Sequence, residues 1–400
     1  MEDKKKVYFA ETPFDQLMQK RIHKVLLVSS AYDAFLMEDD GRIDEQIFNE
    51  YVALNLRYPP QFVKATSEKE AFELLESDTD IDLIITMLNT EGRGPFALAR
   101  KFKARDNDLP VVVLTAFSRE ISLKFRDEDL STIDYVFSWL GNSDLMLAII
   151  KLIEDNMNAD YDIHKAGVQT ILLVENSKRF YSAYLPIIYK IIFQQSKEFM
   201  TEGLNEHQKM LRMRGRPKIM LATNYEEALD YYTTYKLNLL GVISDVSYYR
   251  EGKKDKQAGV RLAKHIKKDD PYMPVLLQSS EADNRKIAKE IKVGFLHKLS
   301  PTLNHELKHF IKEYFAFGDF VFVNPETGEE LIRVKDLKQL QKKIYDIPDF
   351  SLRYHLERNH LSKWLNARAL FPVAEFLRYL SLDDFKNLQH ARKFIHETIT

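Results

Sequence analysis

The stretch LAKHIKKDDPYMPVLLQSS (Leu262–Ser280) reads as the end of an amphipathic helix, a polar turn closed by Pro274, and a short buried strand. A second stretch, LARKFKARDNDLPVVVLTA (Leu98–Ala116), lies over it without a gap. Leu98, Ala99, Lys103, Asp106, Pro110 and Val111 find the same residue types at Leu262, Ala263, Lys267, Asp270, Pro274 and Val275. Around the first copy run KVLLV (Lys24–Val28), FVKAT, LIIT, VVVLTA and DYVFSW; around the second run TILLV, KIMLAT, LGVIS, VLLQSS and VGFLHK. Amphipathic stretches lie between them, such as SEKEAFELLES, where Ser67 and Glu70 form a capping box. Short apolar strands alternating with helices imply a mainly parallel sheet covered on both faces. Self-similarity at so long a period implies two domains rather than a solenoid.

The whole chain agrees with that division. At 400 residues it exceeds one ordinary core. Its 45% apolar and 12% aromatic content supplies two. A net charge of −2 gives no global pull toward nucleic acid or anionic lipid. Without cysteine the chain has no disulfides, thiolate metal ligands or thiol nucleophile, which suits a cytoplasmic setting. The first residues lack a signal-peptide core, and no apolar run approaches the roughly 18 residues of a membrane span. The expected divisions are an extension over 1–20, one repeat over 21–157, the other over 168–317, and a hairpin plus helices over 318–400.

In a parallel sheet of this kind functional groups collect at the carboxyl ends of the strands. The second copy places Glu175 and Asn176 after its first strand, Asp245 after its third, Ser279 after its fourth and Lys298 after its fifth. Asp245 can act as a nucleophile toward a phosphoryl group. The carboxylates of Glu175 and Asp245 make an oxygen-rich site for Mg²⁺. Lys298 would pair with incoming phosphoryl oxygens, and Ser279 would hydrogen-bond them.

This constellation resembles the receiver domain of two-component response regulators. The resemblance implies a flavodoxin-like, doubly wound α/β fold with a five-stranded parallel sheet in each copy. It implies Asp245 as phosphoacceptor, Ser279 and Lys298 as its catalytic partners, and Phe295 as an aromatic switch. Glu175, Asn176, Asp245 and the backbone carbonyl of Ser247 would hold the metal, while Ser247 and Glu281 would tune dephosphorylation. Asn176 stands where the family has a second acid, which removes a charge and weakens the Mg²⁺ site. Lys298-Leu299 replaces the usual Lys-Pro. The expected donor is a histidine kinase or a small phosphodonor, and the expected output is a protein partner or a fused catalytic domain. A homodimer is compatible with the pattern.

The first copy has Ser29 and Ser30 for the acids, Met87 for the acceptor and Trp139 for the lysine, while Thr115 remains. Met and Trp neither bind Mg²⁺ nor accept phosphate, so this copy reads as a pseudo-receiver and interaction module. GRGPFA (Gly92–Ala97) mimics a dinucleotide fingerprint but follows the third strand rather than the first. MLRMRGRPK (Met210–Lys218) reads as a solvated basic loop. In the tail, PETGEEL reads as a hairpin, and SLRYHLERNHLSKWLNARALFPVAEFLRYL as one long helical stretch. On a continuous helix His355 and His360 would lie roughly 140° apart. The tail resembles a region near the N-terminus of phosphoenolpyruvate synthase or pyruvate dikinase-like proteins. That resemblance implies a regulatory front end whose catalytic part lies outside these residues. The alternative to both is a scaffold that works without phosphorylation.

Overall fold

The structure, a computed structural model, describes residues 14–37, 42–54, 56, 58–78, 80–87, 95–115, 131–139, 143–198, 209, 213–368, 370–378 and 382–399. Parts of the basic loop and of the Gly92–Ala97 segment, and most of the N-terminal extension, lie outside the described residues. No described helix is long and apolar enough to cross a membrane.

The first sheet comprises β1 (Lys24–Val28), β2 (Gln61–Ala65), β3 (Leu83–Met87), β4 (Val111–Thr115) and β5 (Tyr135–Ser138). The second comprises β6 (Thr170–Val174), β7 (Lys218–Ala222), β8 (Leu239–Asp245), β11 (Val275–Ser279) and β12 (Gly294–His297). Between β8 and β11 a small hairpin, β9 (Tyr248–Arg250) and β10 (Lys253–Asp255), fills the longer loop of this copy. The strand orders are β2-β1-β3-β4-β5 and β7-β6-β8-β11-β12, and every pairing in both sheets is parallel. This is the flavodoxin-like, doubly wound order, with the switch in strand order beside the first strand of each sheet.

The residues that match between the copies make matching bonds. Lys103 Nζ donates to the Asn107 carbonyl at 3.1 Å, and Lys267 Nζ donates to the Pro271 carbonyl at 3.0 Å. Asp106 accepts from the Asp108 amide at 2.9 Å, and Asp270 from the Tyr272 amide at 2.9 Å. The carbonyls of Pro110 and Pro274 accept from Ile84 and Val242 at 3.0 and 2.9 Å. The lysine reaches forward from the last turn of the helix to a carbonyl of the turn beyond it, the aspartate forms an Asx turn, and the proline delivers the chain to the strand.

Two compact units emerge. One holds Met18–Asn158 together with Glu175–Lys197, and the other holds Met1–Leu17, Ala159–Val174 and Glu198–Thr400. In the first unit, helices Glu68–Ser77 and Pro95–Arg105 cover one face of the sheet through Leu75, Leu98, Ala99 and Phe102. Helix Asp144–Ala159 is buried almost all round. Helix Lys178–Glu198, which follows β6 in sequence, packs within this first unit. Its Tyr181 ring meets Phe137 edge-on at 5.3 Å, and Tyr189 Oη donates to Asp155 Oδ2 at 2.8 Å.

In the second unit, helices Tyr225–Tyr235 and Ala258–Asp269 bury Ala228, Tyr232, Leu262 and Ile266 against the sheet. A fully buried ion pair, Lys218 Nζ to Asp162 Oδ2 at 2.8 Å, ties the start of β7 to the turn of π-helix before β6. The tail follows with the antiparallel pair β13 (Phe320–Val323) and β14 (Glu330–Val334), turned by Gly328 at φ +74° as the PETGEEL signal implied. Its helices close a core around Phe322, Trp364, Leu365 and Ile395.

The long helical stretch expected in the tail is broken into Asp349–Glu357, His360–Ala367 and Phe371–Arg378. Asn359 takes a left-handed φ of +56°, which Asn tolerates better than most residues and which no helix continues through. The expected 140° separation of His355 and His360 is thereby overturned. The two rings meet, Nδ1 to Nδ1, at 3.0 Å.

Candidate functional site

Three neighbouring strands of the second sheet carry the site. Gln278 of β11 pairs with Asp245 of β8, so Ser279 stands one step further along. Ser279 in turn pairs with His297 of β12, and Lys298 follows. Parallel register alone therefore brings Asp245, Ser279 and Lys298 to one edge.

Lys298 Nζ lies 3.0 Å from Asp245 Oδ1, with the two side chains only 4% and 12% exposed. The Val246 amide donates to the same oxygen at 2.8 Å. Oδ2 has no hydrogen-bond or ion-pair partner among the described residues. The carboxylate is thus anchored by one oxygen and open at the other. Its backbone is also held. Gly259 begins the next helix so close that a Cβ there would stand 2.0 Å from the Asp245 carbonyl oxygen, and its amide bonds the Val246 carbonyl at 3.0 Å. Only glycine fits that approach.

Ser279 is held from the other side. Its Oγ accepts from the Glu281 amide at 3.0 Å and from Asn284 Nδ2 at 2.9 Å. Both bonds use oxygen lone pairs, which leaves the hydroxyl proton to donate. Phe295 is half-buried on β12, with the Arg285 guanidinium 5.0 Å above its ring. Ser247 is half-buried and Glu281 exposed.

Glu175 and Asn176 directly follow β6 and group with the first compact unit. Glu175 is fully buried, and its Oε1 accepts from the Ser177 amide at 2.9 Å. Burial, together with the Glu175 charge, pushes the Tyr181 phenol well above its usual range. Among the described residues no three His, Asp or Glu side chains gather into a metal cluster. Asp245 Oδ2 and the Ser247 carbonyl are nonetheless hard oxygen donors of the kind Mg²⁺ takes, and an ion that keeps most of its waters needs few protein ligands.

The first copy keeps the scaffold without these groups. Trp139 donates its amide to the Thr115 carbonyl at 2.8 Å, as Lys298 does to Ser279 at 2.9 Å. Met87 is 3% exposed at the strand end where Asp245 stands in the other copy. Ser30 Oγ donates to Asp33 Oδ2 at 2.9 Å and accepts the Asp33 amide at 3.1 Å, which caps helix Ala31–Met37.

No family model and no curated protein matches the sequence. Among solved structures, the response regulator TrrA from Thermotoga maritima in complex with Mg²⁺-BeF is 19% identical, over 33% of this chain and 99% of its own, at a TM-score of 0.26. The phosphorylated cyanobacterial phytochrome response regulator RcpA is 22% identical, over 34% and 93%, at 0.25. A protein described as a two-component response regulator with a GGDEF domain is 13% identical, over 72% and 98%, at 0.30. These likenesses are too partial to give any residue of this chain a role.

The residues missed in sequence are supporting ones. Asn284, which grips Ser279, sits in an ordinary polar helix start. Gly259 is one of several glycines, and only the approach of the Asp245 carbonyl singles it out.

Proposed function

We propose that the second receiver-fold domain accepts a phosphoryl group on Asp245 and that the chain is a signalling regulator of the two-component type. The observation that carries this reading is the half-engaged carboxylate: Lys298 and the Val246 amide hold Oδ1, and Oδ2 is open. Oδ2 attacks phosphorus as the donor's P–N or P–O bond breaks. The electron pair of that bond leaves with the donor's imidazole, its acyl oxygen or, from phosphoramidate, ammonia, and an aspartyl phosphate results. The donor is a phosphohistidine of a kinase or a small acyl phosphate or phosphoramidate. Lys298 then pairs with a phosphoryl oxygen, and the Ser279 hydroxyl donates to another. Mg²⁺ held by Asp245 and the Ser247 carbonyl, and otherwise by water, would offset the charge of the reacting anions. Phe295 carries the change outward, and Ser247 and Glu281 set how long the phosphoryl group survives.

The first domain, with Met87 and Trp139 at the corresponding positions, serves as a binding module that is not phosphorylated. The tail's resemblance to dikinase-like front ends makes it a coupling element to a catalytic part. An open frame encoding that part downstream would support the coupling role, and its absence would remove it. The test of the phosphoryl chemistry is incubation with acetyl phosphate or phosphoramidate and millimolar Mg²⁺, followed by intact mass. An adduct of one phosphoryl group, lost in Asp245→Asn, is the expected result. Its absence leaves the phosphorylation-independent scaffold.

A further inference from the structure

A cavity of about 900 Å³ lies within the second unit, between the edge of the second sheet and the tail. Its floor includes Leu276, Phe295 and Leu296 of the sheet and Phe310 of helix Leu303–Tyr314. Its tail side includes His360 and Lys363 of helix His360–Ala367. The volume is that of a site for a small organic molecule, far larger than an inorganic anion needs. One wall is aromatic and apolar, and the other carries more cations than carboxylates.

The basic side is electrostatically unfinished. The Lys363 side chain is 21% exposed, and its nearest carboxylate, Asp270 Oδ2, stands 3.8 Å away, beyond a good hydrogen bond. Burial lowers the Lys363 ammonium below its usual range despite that carboxylate. Lys267, also on the wall, spends its protons on the carbonyls of Pro271 and Met273, and its charge and that of Lys363 repel. Lys312 lines the cavity without a carboxylate partner among the described residues. Five cations, Lys267, Lys292, Lys312, Arg333 and Lys363, line the cavity against three carboxylates, Glu306, Glu313 and Asp319, and an anionic ligand offsets that excess of positive charge.

The histidine pair adds a directed donor. The Val323 amide donates to His355 Nε2 at 3.2 Å, so that nitrogen is an acceptor and the ring proton sits on Nδ1. His355 Nδ1–H then donates to His360 Nδ1 at 3.0 Å, which leaves the His360 proton on Nε2. Burial holds His355 down at about 4 and His360 down at about 3, so both rings are neutral near pH 7 and the relay is fixed. His360 Nε2–H has no partner among the described residues.

We propose that this cavity binds an organic phosphate of nucleotide size, with Lys363 and the His360 Nε2–H holding the phosphate and Phe295 and Phe310 flanking the ring. A phosphate offers more acceptor oxygens than a carboxylate to donors arriving from several sides, and a planar base suits an aromatic wall. The site shares Phe295 with the switch proposed above, but the groups that hold its ligand are present without a phosphoryl group on Asp245.

The test is calorimetric titration of the full chain with AMP, GMP, ATP and GTP, beside adenosine, guanosine and inorganic phosphate. Trp364, which lines the cavity, reports occupancy by its fluorescence. At least one nucleotide is expected to bind one per chain, about tenfold or more tighter than its nucleoside and than phosphate alone. Lys363→Gln is expected to weaken it about tenfold or more, and Lys363→Arg to retain it. Should Lys363→Gln fail to fold, Lys312→Gln serves in its place, with a smaller loss. No binding of any nucleotide at millimolar concentration overturns the proposal. Equal binding by Lys363→Gln, or inorganic phosphate binding as tightly as every nucleotide, overturns it as well.

Discussion

Lys298 Nζ meets Asp245 at Oδ1, 3.0 Å away, and leaves Oδ2 untouched. The ammonium is almost wholly buried, so the pair is sensitive to loss of either member. Removing Lys298 strands a carboxylate that only the Val246 amide still serves. Lys298→Met is therefore expected to cost on the order of 3 kcal/mol of stability. Asp245→Asn keeps an oxygen for the Val246 amide and costs less. Urea unfolding of the two variants gives the order, and the reverse order contradicts the pairing.

Gly259 fixes where Asp245 points. A methyl group there would collide with the Asp245 carbonyl at 2.0 Å, so the strand end or the helix start has to move. Gly259→Ala is expected to lower stability by about 1–3 kcal/mol and to slow adduct formation at Asp245. An unchanged labelling rate would show that the approach does not position the acid.

Much of this was legible in the sequence, for a definable reason. Parallel register converts position along a strand into position on an edge, so Asp245, Ser279 and Lys298 could be grouped without coordinates. The ungapped match from Leu98 to Leu262 located both turns, and Lys103 and Lys267 make the same carbonyl bond in each. The His355–His360 contact was not legible. It depends on one left-handed residue, Asn359, inside a run whose spacing reads as continuous helix. Nor could spacing reveal that helix Lys178–Glu198 groups with the first unit through Tyr181 and Tyr189, since its apolar stripe does not say which surface it meets.

The buried pair Lys218–Asp162 makes a second stability prediction. Both side chains are fully buried, with 2.8 Å between Nζ and Oδ2. Asp162→Asn is expected to cost roughly 3–5 kcal/mol, with little dependence on salt. Replacing both with apolar residues, Asp162→Leu with Lys218→Met, is expected to recover much of that loss. Denaturant midpoints at low and high salt check both statements.

The histidine pair gives the tail a pH dependence of definite sign. Both folded-state values, about 4 for His355 and about 3 for His360, lie below the ordinary imidazole value of 6.5, because burial disfavours the charged rings. Below about pH 6.5 the unfolded chain takes up protons that the folded tail refuses, so stability falls as pH drops toward 4. The slope is on the order of 1 kcal/mol per pH unit for each ring. The carboxylates held below their usual range, such as Glu306 and Glu330, contribute only at lower pH. Thermal melts at pH 7 and pH 5 are expected to differ in wild type and to converge in His355→Phe with His360→Gln.

The most direct test of the central claim is the intact mass of the chain after acetyl phosphate and millimolar Mg²⁺, run beside Asp245→Asn. One added phosphoryl group on the wild type, absent from Asp245→Asn, is the predicted result. No adduct, or an adduct that persists without the Asp245 carboxylate, contradicts a phosphoacceptor role for the open oxygen beside Lys298.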